Sequence, residues 1–389
     1  MPFIIDLVYI NAGGGHRASA LALEAIALQQ QRPWQLRLIN LFDVLDPGQR
    51  FQGLTGLRPE DLYNKRLAHG WTRGMGQELR LLQQLIRLAQ GRLVQRLATH
   101  WGQTRPDLVV SLVPNFNRAM FEGLRATGSE APYVTILTDF ADLEREHFWI
   151  EAGQAQHVIC GTARAAEQAM ARGYRAPWLH RSSGMMVRPE FYAAPREDRA
   201  SAMRRHGLDP QRPTAVVMFG GHGARTMLGL AQRLPTLQLI LLCGHNQALA
   251  EALRAQPAQA PRLVQGFTRD IPEFMRMADF FIGKPGPGSI SEALCCGLPV
   301  LLQHNGATMP QERYNAEWVA EQGLGMTFAS NRGVAAAADA MLAALPTLRQ
   351  RVAAIHNRAL FEVPDILDDI LHSTPVAATR HQAESAAMH

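Results

Sequence analysis

Residues 283–299 read Gly-Lys-Pro-Gly-Pro-Gly-Ser-Ile-Ser-Glu-Ala-Leu-Cys-Cys-Gly-Leu-Pro, and few folds accommodate them. The apolar run 278–282 ahead of them has the character of a buried strand, while Ile290, Ala293 and Leu294 recur at helical spacing as far as Gly297. The order is therefore strand, glycine-rich turn, short helix. Such a turn lets backbone approach a ligand closely, and the helix start offers unpaired N–H groups and partial positive charge that suit a phosphate or a ribose. Glu292 stands one turn inside that helix, facing its mouth. A second explanation needs no ligand: Ser289 and Glu292 have the spacing of a capping box, which by itself accounts for both residue types.

A similar unit opens the chain. The apolar strand 3–10 runs into Asn-Ala-Gly-Gly-Gly-His-Arg-Ala-Ser-Ala, and an alanine- and leucine-rich helix follows to about Gln30. Gly13, Gly15 and Ala18 satisfy a loose dinucleotide-binding fingerprint. Against that reading, the strand 35–41 carries Asn40 where an acid for the ribose belongs, and His16 occupies the place where a pyrophosphate should meet bare backbone. A histidine at a helix start is disfavoured as a cation, so it stays neutral and able to accept a proton. His16 is thus a candidate general base, the alternative being a histidine simply hydrogen-bonded at a helix start.

At 389 residues with 47% hydrophobic and 19% charged residues, the chain has room for two ordinary globular domains. Its net charge is +5, yet only Lys65 and Lys284 are lysines. Codon composition produces such an arginine bias, so charge alone assigns no nucleic-acid partner, and none is expected. Cys160, Cys243, Cys295 and Cys296 lack metal-ligand spacing, and the adjacent pair is poorly placed for a disulfide, which reads as a reduced, cytoplasmic protein. No apolar run is long enough to span a bilayer, and the first ten residues lack a basic start, so any membrane contact is expected at the surface, on the inner face.

Within 58–105, arginines outnumber acids while Leu79, Leu82, Leu85, Ile86, Leu93 and Leu97 recur at helical spacing. Core-facing leucines with solvated arginines account for the pattern; a basic amphipathic surface for anionic lipid is the other reading. Buried strands are expected again at 107–112, 133–138 and 157–160, completing a domain of alternating strands and helices. Thr138 and Asp139 fall at a strand's carboxyl end, where open parallel sheets place ligands, so Asp139 is a candidate to orient His16 or to contact a substrate hydroxyl. His147, Phe148 and Trp149 combine a titratable ring with an aromatic face suited to an acceptor pocket, or are ordinary interface residues. Two prolines mark 185–195 as a linker.

A second set of strands comes at 214–219, 238–242, 262–266, 278–282 and 299–303, with glycine or polar groups at their ends. The order and spacing of Gly13 to Ala20, Thr138-Asp139, 147–150, Arg188-Pro189, 220–223, 243–246, 266–268, 284–292 and Gln311-Glu312 with Asn315 resemble the family that joins the peptidoglycan glycosyltransferase MurG with monogalactosyldiacylglycerol synthase and processive diacylglycerol glucosyltransferases. The resemblance covers nearly the whole chain to about Phe361 and leans toward the diacylglycerol branch.

That resemblance implies an α/β fold of the GT-B kind, two Rossmann-like domains facing across a central cleft. The first would be 1–184 and take the acceptor, the second 196–360 and take a UDP-sugar. A helix 361–372 would return to the first domain, and 373–389 would be loose. By resemblance, Glu292 would bind the ribose and the backbone at Phe267 the uracil. The turn of Gly221, His222 and Gly223 and the helix start at Gly288 and Ser289 would take the diphosphate, Asn246 and Gly286 would belong to the donor site, and Gln311 with Glu312 would bind the sugar hydroxyls. His16, with Asp139, would deprotonate an acceptor hydroxyl held near Gly14, Gly15, His147 and Trp149. The implied reaction is inverting transfer of a hexose from a UDP-hexose to a hydroxyl acceptor, most simply a lipid such as diacylglycerol; the absence of any Asp-x-Asp triplet agrees with no obligatory metal or cofactor. A small soluble acceptor and a UDP-sugar 2-epimerase of the same architecture are the alternatives. His222 in the phosphate turn, and a loop 304–310 without the family's Pro-Gly, leave the hexose open.

Overall fold

The computed structural model of the chain describes residues 2–12, 14–48, 53, 75–143, 148–221 and 223–373. These form two compact units. One holds the described residues to Gly53, Gly76–Arg188 and those from Arg358 on; the other holds Met75 and Pro189–Asn357. The tail 374–389 and the segment 58–74 lie outside the described residues.

The first unit is built on strands β1 (Phe3–Tyr9), β2 (Trp34–Asn40), β3 (Leu108–Ser111), β4 (Tyr133–Ile136), β5 (His157–Cys160) and β6 (Leu179–Arg181), in the order β2-β1-β3-β4-β5-β6 and all parallel. The second is built on β7 (Thr214–Met218), β8 (Gln238–Leu242), β9 (Arg262–Gln265), β10 (Phe280–Gly283), β11 (Val300–Gln303) and β12 (Gly325–Phe328), in the order β12-β11-β10-β7-β8-β9, again parallel. Helices cover both faces of such sheets, so central strands are buried on both sides and read as unbroken apolar runs. Thus β3, β4, β5, β7, β8 and β10 are buried at every residue. The edge strands β6, β9 and β12 are only partly so. Strand order reverses between β1 and β3 in one unit and between β7 and β10 in the other, which is where doubly wound sheets open a crevice at their carboxyl ends.

Two local expectations change. The boundary between the units falls inside 185–195, between Arg188 and Pro189, and the change there is only that this stretch packs at both ends: Met185, Val187 and Phe191 are buried, and Arg276 donates to the carbonyls of Phe191 and Ala193 at 2.9 and 2.7 Å. In the helix Met75–Leu88 the core-facing reading fails for Leu82 and Leu85, which are 44% and 54% exposed. Leu79, Gln83 and Ile86, four and three residues apart, already form the inward stripe, so Leu81, Leu82, Leu85 and Leu88 fall on the flank and far side.

The helix Ala359–His372 belongs with the first unit and is pinned there by charge. Arg32 pairs with both Asp365 and Asp368, and the indole N–H of Trp34 donates to Asp368 at 2.9 Å. Asp368→Ala removes two of these bonds while Arg32 keeps Asp365, so the expected cost is about 2 kcal/mol in urea unfolding, with Asp365→Ala, whose carboxylate is far more exposed, costing less.

Candidate functional site

In the first unit, the chain leaves β1 and turns through Gly14, whose φ of 85° favours glycine, into the helix Gly15–Gln29. The first helical bond runs from Ala18 N–H to Gly14 O at 3.0 Å, so the N–H groups of Gly15, His16 and Arg17 have no acceptor within the helix. A β-carbon added at Gly14 or Gly15 would meet nothing within 4 Å, and both are exposed. Backbone is open to approach there. Gly13 and His147 lie outside the described residues.

His16 stands at the reversal of strand order, among the ends of β1, β3 and β4. Its Nδ1 is 3.1 Å from the Thr138 hydroxyl, and its ring lies 5.8 Å, centroid to centroid, from that of Trp149. Burial is the main cause of a pKa lowered to about 4; a backbone hydrogen bond with Leu112 pulls weakly the other way. The imidazole is therefore neutral at physiological pH. Trp149 is fully buried, so it stands behind His16 rather than forming a solvent-facing acceptor wall. Its indole N–H donates to Asp139 at 2.9 Å, its backbone N–H to Asp142 at 2.8 Å, and its carbonyl accepts from Asn117 at 3.0 Å. Asp142 in turn pairs with Arg172. Asp139 is thus linked to His16 through the ring of a residue held at three points, one on the indole and two on the backbone, and a hydroxyl that meets Nδ1 directly is that of Thr138.

In the second unit, two glycine turns flank the reversal between β7 and β10. After β7, Gly220 and Gly223 have φ of 78° and 57°, and Gly223 N–H closes the turn on Gly220 O at 3.1 Å. The loop after β8 presses on it: His245 N–H donates to Gly221 O at 3.1 Å, and a β-carbon at Gly244 would lie 2.0 Å from that oxygen. Only glycine fits there. His222 lies outside the described residues. Asn246 caps the helix Gln247–Arg254, its side-chain oxygen accepting from Leu249 N–H at 3.0 Å, so its sequence neighbour His245 is the residue that faces outward, stacked on Phe267 at 4.1 Å between centroids. Phe267 itself is 56% exposed.

After β10 comes the helix Pro287–Cys295, with Gly286 as its N-cap and no side-chain cap. Proline at the first position has its φ preset and lacks an N–H, which places the helix start two residues before Ser289. Ser289 is therefore the third residue and Glu292 the sixth, and the capping-box explanation of this pair does not hold. Ile290 N–H makes the first bond, to Gly286 O at 3.1 Å, so the N–H groups of Gly288 and Ser289 have no acceptor within the helix, and Gly288 is open. Beside them, buried Glu312 accepts from the Lys284 ammonium at 2.7 Å, and fully buried Asn315 donates to Pro285 O at 2.8 Å. Gln311 is half-buried at the start of the same helix, Pro310–Glu321.

Thr138, Lys284 and Asn315 entered the sequence reading only as members of motifs, without a role of their own. Glu312 and Asn315 are three apart on one helix and so share a face, which is the signal that marks them as supports of the Lys-Pro-Gly turn. Chemically, the second unit offers a cation and free amides to an anion, and the first a neutral imidazole to a proton.

Residues 214–369 match the glycosyltransferase family 28 C-terminal domain. Monogalactosyldiacylglycerol synthase of Spinacia oleracea is 28% identical over 352 residues, covering 86% of this chain and 65% of that protein. Monogalactosyldiacylglycerol synthase 1 of Arabidopsis thaliana is 28% identical over 342 residues, covering 83% and 62%. Both of these synthases are longer, the chain spanning 65% and 62% of their length. Among solved structures, MurG of Acinetobacter baumannii superposes with a TM-score of 0.58 at 13% identity, covering 95% of this chain and all of that one, which gives the two-sheet GT-B fold. The glycine turns, the helix start and the sheet order thus coincide with a family match over the second unit and with relatives aligned over 83 to 86% of the chain: the chain is a family 28-like glycosyltransferase with the GT-B fold.

Proposed function

We propose that this protein moves a hexose from a UDP-hexose to a hydroxyl of a lipid acceptor such as diacylglycerol, with inversion at the anomeric carbon. The observation that carries the reading is the neutral imidazole of His16, held at Nδ1 by Thr138 on a helix start, in a chain whose curated relatives are monogalactosyldiacylglycerol synthases. In the tautomer protonated at Nδ1, Nε2 carries the lone pair. It takes the acceptor's O–H proton as that oxygen bonds to the anomeric carbon; the bond from that carbon to the diphosphate oxygen breaks, and UDP leaves with the electron pair. Gly288 and Ser289 N–H groups receive the diphosphate, and Glu292 the ribose hydroxyls. Gly14 and Gly15 leave room for the acceptor.

The lipid reading has a surface to match. Leu81, Leu82, Leu85 and Leu88 are 57%, 44%, 54% and 84% exposed on the helix Met75–Leu88, with Arg80 and Arg87 also exposed. Apolar side chains flanked by arginines suit the surface of an anionic membrane, where each inserted leucine contributes about 1.5 to 3 kcal/mol. No helix among the described residues is long and apolar enough to cross a bilayer. We assign the acceptor to that surface: the protein meets its substrate lying on the membrane.

His16→Ala is expected to lower transfer by about 100-fold or more while the UDP dissociation constant stays within about twofold, as calorimetry and a labelled-donor assay would read. Equal loss of both would make His16 structural. Glu292→Ala is expected to weaken UDP binding about tenfold in a folded protein. Conversion of the UDP-sugar in the absence of any acceptor would favour the epimerase reading instead.

The depressed pKa sets the pH dependence. Since His16 titrates near 4 when folded, against an ordinary value of 6.5, its contribution to stability is complete above about pH 6.5 and is lost as pH falls through about 4. Imidazole NMR is expected to show a neutral His16 ring at pH 6, and a ring charged at that pH would remove the base. For the membrane, sedimentation with phosphatidylglycerol vesicles is expected, with weaker binding to phosphatidylcholine and at high salt; Leu82→Glu with Leu85→Glu is expected to reduce it at least about 100-fold.

A further inference from the structure

We infer that Lys284 is the cation that neutralises the departing diphosphate, and that Glu312 serves to hold its ammonium in place rather than to grip the sugar. The inference rests on the reading that the second unit takes UDP. Lys284 comes directly after β10 at the reversal of strand order, and its stem spans the two glycine turns there: Cε lies 3.7 Å from where a β-carbon of Gly220 would be and 3.6 Å from that of Gly286. The ammonium has three N–H donors. One goes to Glu312 Oε1 at 2.7 Å, and the side chain is 33% exposed, so donors remain to reach a ligand. Glu312 is nearly sequestered, its side chain 7% exposed, and a buried carboxylate demands a partner charge; Lys284 is that partner.

The residue type supports the same assignment. Only two of the 39 basic residues of this chain are lysines, and one stands here. A guanidinium is planar and broad, whereas an ammonium is a compact point charge. Glycine on either side, and stem contacts of 3.6 to 3.7 Å, leave space for the compact group. The N–H groups of Gly288 and Ser289 then supply directed hydrogen bonds and Lys284 supplies charge, which together stabilise the negative charge that grows on the leaving oxygen.

The scarcity of lysine makes the test direct. Acetylation of the unmodified full chain, read by peptide mass spectrometry, is expected to be slowed at Lys284 at least fivefold by UDP and little by uridine, with Lys65 as the internal reference. Equal protection by both, or by neither while calorimetry shows UDP bound, would overturn the assignment. If calorimetry detects no UDP binding to the unmodified chain, the proposed function fails first. Lys284→Met is expected to weaken UDP at least tenfold with uridine affinity within twofold, and Lys284→Arg to recover only part of the loss. Glu312→Gln, whose amide oxygen still accepts from Lys284, is expected to change affinity for UDP and for UDP-hexose by the same factor; loss confined to the UDP-hexose would return Glu312 to the sugar.

Discussion

Reversal of strand order is the constraint on which both units depend. In a parallel sheet wound in two directions, the loops after the two strands at the reversal depart to opposite sides, and the backbone amides at those ends are left facing open space. In the second unit the ends in question belong to β7 and β10. Beyond β7 glycine is needed where backbone meets backbone: a carbon added at Gly223 would lie 3.0 Å from the carbonyl oxygen of Cys243, and at Gly244, in the loop after β8 that presses on this turn, it would collide with the carbonyl of Gly221. Beyond β10 glycine serves the other need, since a carbon added at Gly288 would meet nothing within 4 Å and the backbone there stays open to approach.

The first unit uses the same opening for a different purpose. Between β1 and β3 the helix start is occupied by a side chain, His16, where the second unit presents bare amides. Helix polarity and burial both act against a charged imidazole, and they act in the direction a general base requires. The supports are layered. Thr138 meets the ring, Trp149 backs it, and Asp142, held by Arg172, fixes the backbone of Trp149. A single polar contact would leave the ring free to rotate; a fully buried indole behind it does not.

How much of this the sequence carried differs by element, for physical reasons. Strands buried on both faces are written as continuous apolar runs, and β3, β5, β7, β8 and β10 were legible for that reason. The strands β6 and β12 were not expected: they lie at sheet edges, need little apolar character, and read Leu-His-Arg and Gly-Met-Thr-Phe. The glycine turns and His16 stood out because their residue types are costly elsewhere. Thr138 and Asn315 stood out only as motif members and not by role, since a threonine or an asparagine acquires its meaning from the group it faces, and spacing in sequence does not give that. Leu82 and Leu85 show the same limit from the other side, because helical spacing groups residues on a face without saying whether that face turns inward.

Glu292 illustrates how one residue's register decides between two chemistries. Had the helix begun at Ser289, a carboxylate three residues later would have closed on the backbone and had its role fulfilled there. Pro287 moves the start back by two residues, to Gly286 as cap, and puts Glu292 at the sixth helical position, about 7.5 Å along the axis from the first. Helical side chains lean toward the amino end, so a residue at the sixth position is directed back over the turn that precedes it. In the proposed function that register would set an anion site at the mouth and an acceptor of hydroxyl hydrogen bonds behind it, the order of groups along a nucleoside diphosphate. A capping box would have placed both functions on the same N–H groups, where one excludes the other; the proline separates them.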